Sequence, residues 1–311
     1  MDPLSSEQIR GNWAAVLLPI NEDERIDYAR LADELEALVA ARVDGIYTNG
    51  TAGEFYNQTE DEFDRLSMLV ADRCERAGVP FQIGVSHMGP RISLERLRRA
   101  AALRPGAVQV ILPDWFPVTD DEAVAFLERM AEAADPIGLV LYNPPHAKRV
   151  LSPAEIGRLK AAVPALVGVK VADGDEAWYT AMRAHTAGLA VFVPGHRLAT
   201  GYRLGAHGSY SNVACLHPAG AQRWYDQMTT DIEAALELET RLRTFMGGHV
   251  LPFIAHHGYP DPAVDKLLAC IGGWADVGTR LRWPYRWIPE SEAERLRPLA
   301  REAVPEILDA P

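Results

Sequence analysis

Lysine occurs at only four positions of the chain, 148, 160, 170 and 266, and of these Lys170 alone falls inside an apolar strand-like run, Leu166-Val167-Gly168-Val169-Lys170-Val171-Ala172. Burial disfavours an ammonium and lowers its pKa from ~10.4. A shift of about three units costs roughly 4 kcal/mol and leaves a useful fraction of free amine near neutrality. Such an amine attacks a ketone or aldehyde carbon to form a Schiff base, and the protonated imine then acts as an electron sink for a bond one carbon away. A strand lysine could also point outward or pair with a carboxylate. Schiff-base chemistry needs a proton carrier as well, and Tyr142 ends the preceding apolar run, Gly138-Leu139-Val140-Leu141-Tyr142, ahead of a stiff Asn143-Pro144-Pro145 turn. Adjacent strands lie about 4.8 Å apart, so the two side chains could share one pocket mouth. A third element is Asn49-Gly50-Thr51-Ala52-Gly53-Glu54. Its glycines permit backbone N–H groups to converge on an anion such as a carboxylate.

Positioning these groups requires a regular scaffold. Short apolar runs rich in β-branched residues occur at 14–20, 43–48, 80–86, 107–113, 137–143, 165–171, 189–195 and 208–214. Their spacing of about 30 residues, shortening at the end, is that of one strand-loop-helix unit. Near-continuous hydrophobicity is expected of parallel strands buried on both faces. Helix signals fill the gaps: Leu31, Leu35 and Leu38 share a face, and capping boxes pair Thr59 with Glu62, Thr119 with Glu122 and Ser152 with Glu155. Asp173 with Glu176 reads similarly. The pattern predicts an α/β fold, a (β/α)8 TIM barrel over 1–217, with a doubly wound open sheet as the alternative. Residues 218–311 read as a helical region packed on the barrel, with helices at 219–239, 261–272 and 292–307.

The chain has 311 residues, 48% hydrophobic and 24% charged, ample for a large core. Its net charge of −12 and the absence of an aromatic-flanked basic cluster argue against nucleic acid or an anionic membrane as partner. Three cysteines, Cys74, Cys215 and Cys270, form no CxxC pair, which favours a reducing compartment over a disulfide or zinc framework. No run approaches the roughly 20 apolar residues of a membrane span, and the N-terminus lacks signal-peptide character. A soluble, cytoplasmic protein is expected. His256 and His257 are adjacent, and no HxH or HExxH occurs, so no metal site is expected.

With these elements in order, the chain resembles the dihydrodipicolinate synthase / N-acetylneuraminate lyase family of class I Schiff-base aldolases, from about Gly11 to the C-terminal helices. Gly50-Thr51-Ala52-Gly53-Glu54 is similar to the family's GT(T/x)GE loop, Tyr142-Asn143-Pro144-Pro145 to its tyrosine turn, and Gly168-Val169-Lys170 to its lysine strand. The resemblance implies a homo-oligomer, tetramer or dimer, in which Lys170 forms an imine with the 2-oxo carbon of pyruvate or a longer 2-oxo acid. Tyr142 would move protons, the Thr51 and Ala52 amides would hold the carboxylate, and the Thr51 hydroxyl would link to Tyr142. Gly50 belongs to the same binding loop. Gly195, His196 and the stretch from Ser209 to Asn212, with Ser211 and Asn212, would meet the substrate tail. No cofactor is implied.

Departures from the family pattern bear on the substrate. Ala52 replaces a threonine, Pro113-Asp114-Trp115-Phe116-Pro117 replaces the tyrosine that reaches across the dimer in dihydrodipicolinate synthases, and Ala147 stands where their arginine would, with Lys148 and Arg149 out of register. Dihydrodipicolinate synthesis is therefore disfavoured. Trp115 is expected either to contact substrate, as in the partly similar benzylidenepyruvate hydratase-aldolases, or to pack. The leading expectation is a lyase that cleaves or forms a C–C bond with pyruvate as product or donor. A 2-keto-3-deoxy sugar-acid dehydratase using the same imine is the alternative, and a catalytically silent binding or sensor barrel another.

Overall fold

The structure is a computed structural model and describes residues 1–309. Eight strands, β1 (Gly11–Ala15), β2 (Gly45–Thr48), β3 (Phe81–Gly84), β4 (Ala107–Val110), β5 (Gly138–Asn143), β6 (Leu166–Val171), β7 (Ala190–Phe192) and β8 (Gly208–Tyr210), close into a barrel in sequence order. Every pairing is parallel, including β8 back onto β1. Helices α1 (Tyr28–Ala40), α2 (Glu60–Ala77), α3 (Pro90–Ala101), α4 (Asp120–Ala134), α5 (Pro153–Ala162), α6 (Glu176–His185), α7 (Leu198–Leu204) and α8 (Asn212–Leu216) follow the strands in turn. This is the (β/α)8 architecture, and the open sheet is excluded by the β1–β8 ladder.

The strands sit where continuous apolar runs meet helices on the outside, and the three capping boxes start α2, α4 and α5. Two local expectations are corrected. Strand β1 begins at Gly11 rather than at 14, because its residues include Asn12, which is buried with its side chain donating to Gln222 in the helical layer and carries no apolar signal. The apolar Val16, Leu17 and Leu18 form a buried loop beyond the strand, where the Leu17 amide donates to Glu34 Oε1 at 2.7 Å. Asp173 does not cap α6. That role falls to Asp175, which accepts from the Trp178 amide, while Asp173 accepts from the Tyr179 hydroxyl at 2.6 Å and Arg197 at 2.9 Å.

Beyond the barrel come α9 (Pro218–Thr230), α10 (Ile232–Phe245), α11 (Leu251–Ala255), α12 (Asp261–Gly272), α13 (Glu290–Ala303) and α14 (Pro305–Leu308). The single helix expected over 219–239 is divided, since Asp231 leaves helical geometry and caps α10 by accepting from the Ala234 amide. That expected over 292–307 starts at Glu290 and is divided at Val304, ahead of Pro305, whose ring cannot continue a helix's hydrogen bonding. A π-helical turn, Met246–Val250, joins α10 to α11 and carries the chain back over the barrel mouth. No described helix is long and apolar enough to cross a membrane.

Candidate active site

Strands β5 and β6 set Tyr142 directly opposite Lys170 in the ladder, and β7 sets Phe192 on its other side. The Lys170 amine lies 4.2 Å from the centroid of the Tyr142 ring, 5.3 Å from that of Tyr47 and 5.4 Å from that of Tyr210. Three strands thus supply aromatic faces around one ammonium. Such faces favour the cation, but burial opposes it more strongly and brings the Lys170 pKa down to about 8, with Asp265, Cys215 and Asp261 pulling it back up. The amine still borders a cavity of about 260 Å³ at the carboxyl ends of the strands, where barrel active sites lie.

Burial pushes the Tyr142 hydroxyl up to about 12, and its interaction with the Thr51 hydroxyl acts in the other direction. The turn behind Tyr142 is held by Asn143, whose side chain accepts from the Leu151 amide at 2.8 Å and donates to the Arg149 carbonyl at 2.9 Å. Thr51 and Ala52 line the cavity. Their backbone N–H groups donate to no acceptor among the described residues, so they are available to an anion. Left-handed Asn49 and Glu54 bracket this loop, and the Glu54 amide closes it on the Thr51 carbonyl at 3.0 Å. From α12, the Lys266 amine donates to Glu54 Oε1 and to the Arg280 carbonyl, each at 2.6 Å. The loop is therefore tied to the C-terminal helices by a fully buried ion pair.

Gly195, Ser211 and Asn212 line the same cavity. A Cβ on Gly195 would stand 2.6 Å from Ser211 Oγ and 2.8 Å from Asn212 Oδ1, so these elements can meet only at a glycine. Asn212 holds His196 on the wall, accepting from its amide at 3.1 Å and meeting its Nδ1 at 2.9 Å.

Two expected binding residues lie elsewhere. Gly50 is under the loop, where a Cβ would strike the Tyr47 ring at 2.5 Å, so its role is close packing. Trp115 is 64% exposed and borders a separate cavity of about 490 Å³, which adjoins the first through Thr51 and Tyr142. Lys148 folds over the Trp115 ring, 4.9 Å from its centroid, and donates to the Trp115 carbonyl at 2.9 Å. Arg149 is held by Asp120 and Glu155 and donates to the Val118 carbonyl at 2.6 Å.

The structure also brings in groups that the sequence reading passed over. Met246, Leu251 and Ile254 roof the cavity, and Asp261 and Asp265 enter it from the start of α12. Burial, reinforced by Asp261, raises Asp265 to about 7, against the opposing pull of Lys170 and of the Cys215 thiol that can donate to it. The available signal was two acids four residues apart, hence on one face, in a helix whose one other charged residue is Lys266.

The sequence profile of the Dihydrodipicolinate synthetase family matches residues 8–302. A DapA-like lyase of Halobacterium salinarum is 31% identical over 231 residues, 73% of this chain and 74% of the relative. The trans-O-hydroxybenzylidenepyruvate hydratase-aldolase of Sphingobium xenophagum is 26% identical, over 54% of this chain and 53% of its own. Among solved structures, the E. coli K12 prophage protein YagE of the dihydrodipicolinic acid synthase family, in complex with pyruvate, superposes with a TM-score of 0.82 at 21% identity, covering 95% of this chain and 98% of its own. The chain belongs to the Dihydrodipicolinate synthetase family and is a lyase.

Proposed function

We propose that the protein is a Schiff-base lyase acting on a 2-oxo acid, cleaving or forming a C–C bond with pyruvate as product or donor. The observation that carries this reading is a buried lysine, brought down to about 8, facing a tyrosine across one strand ladder at the mouth of a barrel. The free amine of Lys170 adds to the 2-oxo carbon, water leaves, and the iminium accepts the electron pair of the breaking C3–C4 bond. The amides of Thr51 and Ala52 hold the substrate carboxylate, and Tyr142, hydrogen-bonded through Thr51, returns a proton to C3. The pyruvate bound in YagE supports this class of substrate.

The cavity's opening toward Gly195, Ser211 and Asn212 suits a hydroxylated tail, so water loss from a 2-keto-3-deoxy sugar acid is the second reading. Barrel residues 1–217 would carry the imine chemistry, and the region 218–311 would close the tail pocket. A homo-oligomer in the cytoplasm fits the three free cysteines and the exposed Trp115 and Phe116. Reduction with borohydride in the presence of pyruvate, followed by peptide mass spectrometry, tests the reading. A pyruvyl adduct at Lys170 is expected, and its absence would favour a silent barrel. A panel of 2-oxo acids scored for pyruvate release against water loss then separates lyase from dehydratase.

A further inference from the structure

The Lys170 cavity holds two carboxylates, Asp261 and Asp265, that the Schiff-base cycle outlined above leaves without a task, and of these Asp261 is exposed to solvent. Asp265 comes from α12, outside the barrel, yet it borders the same cavity as Lys170 and Tyr142 and is the charged group acting most strongly on the Lys170 amine. Among the described residues it forms no ion pair, unlike its neighbour Lys266, and the thiol of Cys215 acts on it to favour the carboxylate. We propose that Asp265 is a catalytic residue, the base that accepts the proton of the C4 hydroxyl when the C3–C4 bond of a 4-hydroxy-2-oxo acid breaks. This inference rests on the Schiff-base reading.

In the Lys170 iminium, the O4–H bond gives its proton to the Asp265 carboxylate, and the freed electron pair forms the C4 carbonyl. The C3–C4 bond breaks, and its pair neutralises the iminium as an enamine. Tyr142 protonates C3, and the water lost on imine formation returns to release pyruvate. Asp265 then passes its proton to solvent, from which Tyr142 recovers one.

The division of labour follows from surroundings. Tyr142, pushed up to about 12, holds its proton at neutral pH and is suited to donate, whereas Asp265 near 7 exchanges one readily. The titratable groups facing Asp265 are Lys170 on β6, Tyr47 on β2, Tyr142 on β5, Tyr56 beyond β2, Cys215 on α8 and Asp261 on its own helix. His196 and Tyr210 are the remaining titratable groups of the wall: His196 is engaged at Nδ1 by Asn212, and the Tyr210 hydroxyl donates to Gln82 Oε1 at 2.7 Å.

The test uses the full chain, with two readouts at pH 7: borohydride trapping of pyruvate at Lys170, and pyruvate release from 4-hydroxy-2-oxopentanoate. In Asp265→Asn, loss of the carboxylate lowers the Lys170 pKa further. Trapping is therefore expected to hold or quicken while release falls about 10²- to 10⁴-fold, with part of the loss restored in Asp265→Glu. Release within a few-fold of wild type would overturn the proposal. So would parallel loss of trapping and release, which marks a structural role, or a wild type that traps pyruvate yet neither cleaves the 4-hydroxy acid nor forms it from pyruvate and acetaldehyde. Absence of any adduct at Lys170 in the wild type would instead overturn the Schiff-base reading itself.

Discussion

Two of the four lysines lie buried beneath the barrel mouth, and the protein treats them in opposite ways. Lys266 meets a carboxylate and a carbonyl at 2.6 Å, and its side chain is fully enclosed. Lys170 meets three aromatic faces and a cavity, with carboxylates present but none in an ion pair with it among the described residues. Burial lowers the pKa of both, and the Glu54 carboxylate opposes this at Lys266 through direct contact. A paired ammonium is a fastening. An unpaired one beside space is a nucleophile in waiting, and the cost of keeping it so is borne by the rest of the fold.

Substituting each lysine with methionine sharpens the contrast. Lys170→Met is expected to lower turnover on the order of 10⁴- to 10⁶-fold and abolish pyruvate trapping. The same change should raise stability by about 1–3 kcal/mol near pH 7, because it removes a buried, unpaired charge. The folded pKa of Lys170 lies below its unfolded value, so its penalty is full below about 8 and fades as pH rises toward 10.5. The stability advantage of the variant, read by urea melts, should shrink across that window, and the rate of trapping in the wild type should climb through it. Tyr142→Phe is expected to cut turnover about 10²- to 10⁴-fold while trapping persists.

Lys266→Met should do the reverse of Lys170→Met and destabilise by about 3–5 kcal/mol, since it strands Glu54 as a buried charge. The double variant with Glu54→Gln should recover part of that loss. Equal stability effects at the two lysines would break the distinction drawn between them. A smaller effect is expected at Glu34, whose Oε2 has no partner among the described residues and whose pKa burial raises to about 8. Unfolding frees its proton between 4.5 and 8, so stability should fall as pH rises through that range, and Glu34→Gln should flatten the slope. Lys148→Met, at an exposed lysine, should stay within about 0.5 kcal/mol of wild type.

The barrel was legible because its strands are buried on both faces and announce themselves as apolar runs separated by capped helices. Where a buried strand takes a polar residue, as at Asn12 facing Gln222, that signal fails, and the start of β1 is not legible. Lys170, Tyr142 and Thr51 could be named because each ends or follows a strand, and strand ends share a face by construction. Asp265 could not be named in this way. Its place over Lys170 is set by the path of the chain through the π-helical turn and α11, a tertiary matter with no local periodicity. Trp115, conspicuous in the sequence, borders an adjoining cavity that shares Thr51 and Tyr142 with the first.

Asp265 and Lys266 are consecutive residues on one helix, the first bordering the Lys170 cavity and the second gripping the loop that carries Thr51 and Ala52. This gives the protein a separable architecture for change. Residues 246–264 could be exchanged to alter which substrates fit while Lys170, Tyr142 and Asp265 stay in place, provided that Lys266 and Glu54 are kept as a matched coupling. A chimaera that separated Lys266 from Glu54 would inherit a lid without its latch.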